Sequence, residues 1–119
     1  MILCIADILT PDERADLMAG LAGATFRPGA DTAGWHARLV KANEQLAGDD
    51  PLRRAADRLV RAALERSDLF RMAALPARIG PIMVNRYSEG GTYGDHVDNA
   101  LMGTGDARFR SDLSFTVFL

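Results

Sequence analysis

The chain has 119 residues, 48% hydrophobic and 25% charged, with a formal net charge of -2, which is room for one domain with an ordinary core. Its arginines are interleaved with acids and form no basic stripe, so a nucleic-acid partner is excluded. The single cysteine, Cys4, excludes an internal disulfide and any cysteine-rich zinc site, and no stretch reaches membrane-spanning length.

Met1 to Leu9 is an apolar run without a basic n-region; Asp7 interrupts it and no small-residue cleavage site follows. The expectation is therefore a cytoplasmic protein with no membrane partner. Residues 2–5 read as a short strand, with Cys4 as a buried, unreactive small side chain. A helix follows: Thr10 suits the N-cap, Pro11 the first helical position, and Glu13 completes a capping box. Leu17, Met18, Leu21 and Ala22 recur at helical spacing, and Gly20 and Gly23 weaken the helix end.

Pro28, Gly29 and Gly34 break any pattern across residues 24–48, which read as loops with one short extended piece around Trp35 to Val40. A second helix is capped by Asp50 and opened by Pro51. Its apolar stripe is Leu52, Ala55, Ala56, Leu59, Val60, Ala63 and Leu64, with Arg53, Arg54, Asp57, Arg58, Arg61 and Glu65 on the other side. That polar side reads as a solvated face, and the helix as a scaffold without chemistry.

After Leu75-Pro76 the period changes to 2. Ile82 to Tyr87 and Thr92 to Val97 read as strands around a turn at Ser88 to Gly91, and Asn99 to Arg110 as a polar, glycine-containing loop. A last strand alternates Leu113, Phe115, Val117 and Leu119 against Asp112, Ser114, Thr116 and Phe118. The fold class expected is α+β, with residues 1–76 mainly helical support for strands in residues 77–119, the whole chain forming one domain. The chain ends inside strand character without a turn, cap or polar tail. This predicts a truncated domain, marginal or prone to homo-oligomeric association through an open strand edge.

The segment Asn85 to Asn99, NRYSEGGTYGDHVDN, carries the chemistry. His96 and Asp98 are two apart, so on a strand both side chains project from one face. An imidazole nitrogen and a carboxylate oxygen could then reach one metal ion, and a second histidine from elsewhere would complete a two-His-one-carboxylate facial triad. A bare His-X-Asp is common by chance. Read alone, it also suits a zinc hydrolase with a different third ligand, or an inactive remnant serving as a binding module. Its surroundings are more specific: Tyr87, the Gly90-Gly91 turn and Tyr93 precede it, and a Ser/Thr-lined strand follows.

In this block, and in MILCIADILTPDE, TAGW, VKANEQL, the ALP at Ala74 to Pro76, and RSDLSFTVFL, the chain resembles the PKHD-type (prolyl/lysyl-hydroxylase-domain) family of Fe(II)- and 2-oxoglutarate-dependent dioxygenases. The resemblance runs from Met1 to Leu119. It implies the first part of a double-stranded β-helix (jelly roll) with the helices on its outer face. It also implies Fe(2+) held by His96 and Asp98, 2-oxoglutarate as cosubstrate with Tyr87 and Ser114 beside it, and L-ascorbate as the reductant that maintains the iron.

Tyr93 would line the pocket mouth, although strand aromatics such as Tyr87 and Tyr93 also simply fill cores. Asp95 and Asn99 would be loop groups within reach to orient the ligating histidine. Family members continue for about another hundred residues, a normal domain size. The distal histidine and the arginine for the far carboxylate of 2-oxoglutarate would come from there. His36 lies in a stretch the family does not use for ligation. The resemblance thus implies a hydroxylase whose substrate this chain does not reveal, and which this chain alone would not turn over.

Overall fold

The computed structural model describes residues 2–32 and 40–119. His36 and, apart from Val40, the extended piece expected at Trp35 to Val40 lie outside them. The architecture is α+β: three helices and three small antiparallel sheets among the described residues.

Helix α1, Pro11–Ala22, begins as its sequence dictates. The Thr10 amide donates to Glu13 Oε2 at 2.8 Å, and the Glu13 amide donates to Thr10 Oγ1 at 3.2 Å, so two N-terminal donors without helical partners are satisfied. Helix α2, Pro51–Arg66, is capped by Asp50, whose Oδ1 accepts from the Leu52 amide at 2.8 Å. Ser67 ends α2 and caps α3, Asp68–Ala74, accepting from the Phe70 amide. The short α3 was not expected from the hydrophobic pattern. Its signal is local: Ser67 as cap, Asp68 in the first turn, and Pro76 just beyond the end.

The apolar stripe of α2 supplies the core. Val60, Leu64 and Phe70 are buried together, with Ile5, Ile8, Leu59, Ala74, Ile79, Ile82 and Val117 packed around them. Ile5 and Ile8 dock here from an N-terminal segment that is not a strand, and Cys4 is exposed, contrary to its expected burial. With no strand to pair with, that segment contributes side chains to the core without a hydrogen-bond ladder.

The polar side of α2 is not merely solvated. Arg61 pairs with Asp57 (Nε to Oδ2, 2.6 Å) and donates to the Ile79 and Gly80 carbonyls at 3.0 and 2.6 Å, while Asp57 Oδ1 accepts from the Ile82 amide at 3.0 Å. This clamp holds residues 79–82 against the helix just before the strand that leads to Tyr87. At the other end, Arg66 pairs with Glu13 and donates to the Ile8 carbonyl, fastening the start of α1 to the end of α2.

The strands depart most from the sequence reading. Residues 24–48, read as loops, contribute β1 (Phe26–Pro28), β2 (Lys41–Ala42) and β3 (Glu44–Leu46). The strand expected at Ile82 to Tyr87 shortens to β4, Asn85–Arg86, and the one at Thr92 to Val97 to β5, Thr92–Tyr93. One sheet has the order β1-β3-β4, and β2 pairs with β5. The registers are Glu44↔Arg86 and Gln45↔Asn85, then Ala42↔Thr92 and Lys41↔Tyr93. The turn therefore does not fold β4 onto β5. Both strands pair with the single run 41–46, and residues 87–91 loop out opposite Asn43. The turn itself forms where expected, closed by the Gly91 amide donating to the Ser88 carbonyl at 2.8 Å, with Gly90 at φ 77°.

Within the expected loop Asn99 to Arg110, β6 (Leu101–Met102) pairs with β7 (Phe109–Arg110). A Cβ on Gly103 would come within 2.6 Å of the Ala107 carbonyl oxygen, and its φ of 79° is one that glycine adopts freely. Residues 111–119 keep their alternation only in part. Val117 joins the core and the Phe115 ring meets Phe70 edge-on at 6.0 Å. No strand among the described residues pairs with this segment, so it has no ladder there.

Candidate functional site

Residues 40–46 and 92–94 build the floor of the site. The Gly94 amide donates to the Val40 carbonyl at 2.9 Å, extending the β2–β5 ladder by one bond. A Cβ on Gly94 would sit 3.1 Å from Val40 Cβ, so the close approach favours glycine. Beyond Gly94 the chain leaves the ladder, and His96 to Asp98 lie outside any strand. The alternation that a strand would impose nevertheless holds. His96 Nε2 lies 3.4 Å from Asp98 Oδ1, and Val97 between them is 93% exposed.

The imidazole is fixed on two sides. His96 Nδ1 lies 2.7 Å from the Gly94 carbonyl oxygen. A carbonyl only accepts, so Nδ1 carries the proton and the neutral ring keeps its Nε2 lone pair on the Asp98 side. The Tyr93 ring stacks on the imidazole, centroids 3.8 Å apart and planes inclined by 14°. The orienting partner of His96 is thus a backbone carbonyl two residues earlier, not Asp95 or Asn99. Tyr93, expected at the pocket mouth, is a platform beneath the histidine.

Burial raises the Tyr93 phenol above its ordinary value, and the neighbouring Asp98 and Tyr87 add to the rise. Tyr93 thus stacks on the ring of His96 and feels the charge of its neighbour Asp98. Tyr87 stands at the start of the looped-out residues, half exposed. Ser114 lies in the segment after β7 and is exposed, and no described hydrogen bond ties it to this cluster. Of the four expected site residues, the structure places His96 and Asp98 side by side.

An imidazole Nε2 and the Asp98 carboxylate are adjacent donors of the kind that divalent iron or zinc accepts, so the pair fits part of a metal centre. Among the described residues no group of three His, Cys, Asp or Glu side chains could hold an ion. Among the described residues this pair could therefore offer an ion two ligands and no third.

Lys41 and Asn43, which the sequence reading passed over, also border the site. The Lys41 ammonium lies over the Tyr93 ring, 5.2 Å from its centroid. Lys41, Asn43 and Gln45 alternate along one run and are all at least nine-tenths buried. Polar residues facing inward hid the period of 2 that a search for alternating apolar residues depends on.

No protein-family model matches the chain. Curated proteins named PKHD-type hydroxylase match all 119 residues: one from Acaryochloris marina is 49% identical, one from Rippkaea orientalis 47%, and one from Synechococcus elongatus 45%. The chain covers 52%, 53% and 53% of these proteins respectively, and so spans about half the length of the curated relatives it matches. With this identity sustained across every residue, the chain is similar throughout to the N-terminal portion of proteins named PKHD-type hydroxylase.

Proposed function

We infer that His96 and Asp98 are the first two protein ligands of an Fe(II) centre in a 2-oxoglutarate-dependent hydroxylase. One observation carries this reading: a histidine whose Nδ1 proton is committed to a carbonyl presents Nε2 at 3.4 Å from a carboxylate oxygen, in a chain matched throughout to proteins named hydroxylases. Iron at that position would supply the redox chemistry that couples 2-oxoglutarate decarboxylation to hydroxylation, with ascorbate as the reductant that maintains it.

The chain's own residues prepare the site. The Gly94 carbonyl selects the tautomer, and the Tyr93 ring blocks rotation of the imidazole; both reduce the ordering cost of ligation. The Tyr87 phenol is the donor assigned to the cosubstrate, with Ser114 as its second neighbour. The second histidine and the arginine for the far carboxylate of 2-oxoglutarate are assigned to the part of the relatives that this chain does not match. There the strands would complete a double-stranded β-helix in a cytoplasmic enzyme.

Anaerobic calorimetric titration of the 119-residue chain with Fe(II) tests the reading. Two ligands predict binding weaker than micromolar that disappears in both His96→Ala and Asp98→Ala. Binding unaffected by either substitution would refute the assignment. Micromolar or tighter binding would show that the described pair is not the whole of this chain's ligand set.

A further inference from the structure

We propose that Lys41 and Asn43 form a subsite for a carboxylate of the substrate, beside the His96–Asp98 pair, so that the hydroxylase acts on an acidic small molecule or side chain. The proposal rests on the function inferred above for its place in the reaction, but not for the binding itself.

The first observation is a buried cation without a counter-ion. Lys41 is 9% exposed, and no carboxylate among the described residues pairs with it. Among the described residues its partner is the Tyr93 ring, with Nζ 5.2 Å from the centroid. A cation–π contact attracts the charge but does not itself supply a hydrogen-bond acceptor to the ammonium's N–H donors. Burial pushes the Lys41 ammonium below its ordinary value. Desolvating a lysine in this way is costly, and an arriving anion would offset the cost.

The second observation is independent of the first. Asn43 is 8% exposed, and both Nδ2 and Oδ1 of its side chain are buried without a hydrogen-bond partner. Buried side-chain amides are nearly always satisfied, and an orphan of this kind calls for an explanation. Lys41 and Asn43 are two apart on one run, so their side chains share a face. Both converge on Gly29, where a Cβ would lie 2.9 Å from Lys41 Cε and would overlap Asn43 Oδ1. Glycine at position 29 therefore makes room for both groups.

An ammonium and an amide N–H side by side are two donors, and a carboxylate accepts from both at once. The charge matches as well: one cation meets one anion. Tyr93 places this subsite relative to the reaction, because one ring contacts both the Lys41 ammonium and the His96 imidazole. The far carboxylate of 2-oxoglutarate is already assigned to an arginine, which leaves the substrate as the source of the Lys41 anion.

The test is NMR of the 119-residue chain, following the Lys41 Nζ/Cε signals and the Asn43 side-chain amide while acetate, and separately 2-oxoglutarate, is titrated against a chloride control. Saturable acetate shifts at both residues are expected, with the Asn43 response weakened about tenfold or more in Lys41→Met and retained in Lys41→Arg. Lys41→Met should melt no lower than the parent, since an apolar isostere removes a buried unpaired charge.

The same acetate shifts must persist in the His96→Ala/Asp98→Ala variant, which separates failure of this subsite from failure of the metal assignment. Shifts with 2-oxoglutarate only, strengthened by Zn(II) and lost in that variant, would assign the subsite to the cosubstrate and overturn the proposal. Shifts matched by chloride, or no shift at either residue, would also overturn it.

Discussion

Replacing Arg61 by methionine removes one end of the clamp between α2 and residues 79–82 while keeping most of the apolar stem. Four hydrogen bonds are lost: two to the Asp57 carboxylate at 2.6 and 3.1 Å, and two to the Ile79 and Gly80 carbonyls at 3.0 and 2.6 Å. A hydrogen bond to a charged group contributes about 1.5–3 kcal/mol, but the four share one guanidinium and are not additive. The Arg61 and Asp57 side chains are 30% and 27% exposed, so water replaces part of what is lost. The expected net loss is about 2–3 kcal/mol, a large part of the roughly 5–15 kcal/mol that holds an ordinary domain together.

The loss has a definite pH dependence. Arg61 holds the Asp57 carboxyl below its usual range, opposed by burial and assisted by the Ile82 amide. A depressed folded value contributes stability that is complete above the unfolded carboxylate value and is lost as pH falls through the folded one. The difference between parent and Arg61→Met should therefore be full at neutral pH and shrink below about pH 4. Urea melts across this range measure it, as a change in midpoint at constant slope. A difference under about 0.5 kcal/mol, the scale of an ordinary surface substitution, or one independent of pH, would refute the clamp.

Two further outcomes follow from side chains with defined partners. The Glu13 carboxyl is lowered to about 2, chiefly by its hydrogen bond with Arg66 and then by the Thr10 amide. In Arg66→Gln its NMR titration should move back toward the ordinary value, and an unchanged titration would break the link between the two helices. Nitrogen shifts of His96 in its neutral form should report a protonated Nδ1; a protonated Nε2 would remove the lone pair on which metal binding depends.

Local chemistry made both long helices legible in the sequence. Thr10 with Glu13, and Asp50 with Pro51, satisfy helix starts through contacts within a few residues, so the sequence alone places them. The same holds for the Ser88–Gly91 turn, and for the common side of His96 and Asp98, which needs only an extended backbone. The resemblance to the hydroxylases was likewise carried by short runs of residues that a reader can quote.

Pairing across the chain was not legible, because a strand acquires its partner only in three dimensions. Nothing local says that residues 41–46 receive both β4 and β5 along one edge, or that residues 87–91 loop out between them. The polar character of Lys41, Asn43 and Gln45 concealed that run, since inward-facing residues are expected to be apolar. Asp57 and Arg61 resemble any exposed helical ion pair until residues 79–82 are seen to close against them. The sequence by itself settled which residues can cap and turn. Only the tertiary structure decided that the Tyr93 ring would contact both the His96 imidazole and the buried Lys41 ammonium, because the Lys41 contact joins strands more than fifty residues apart.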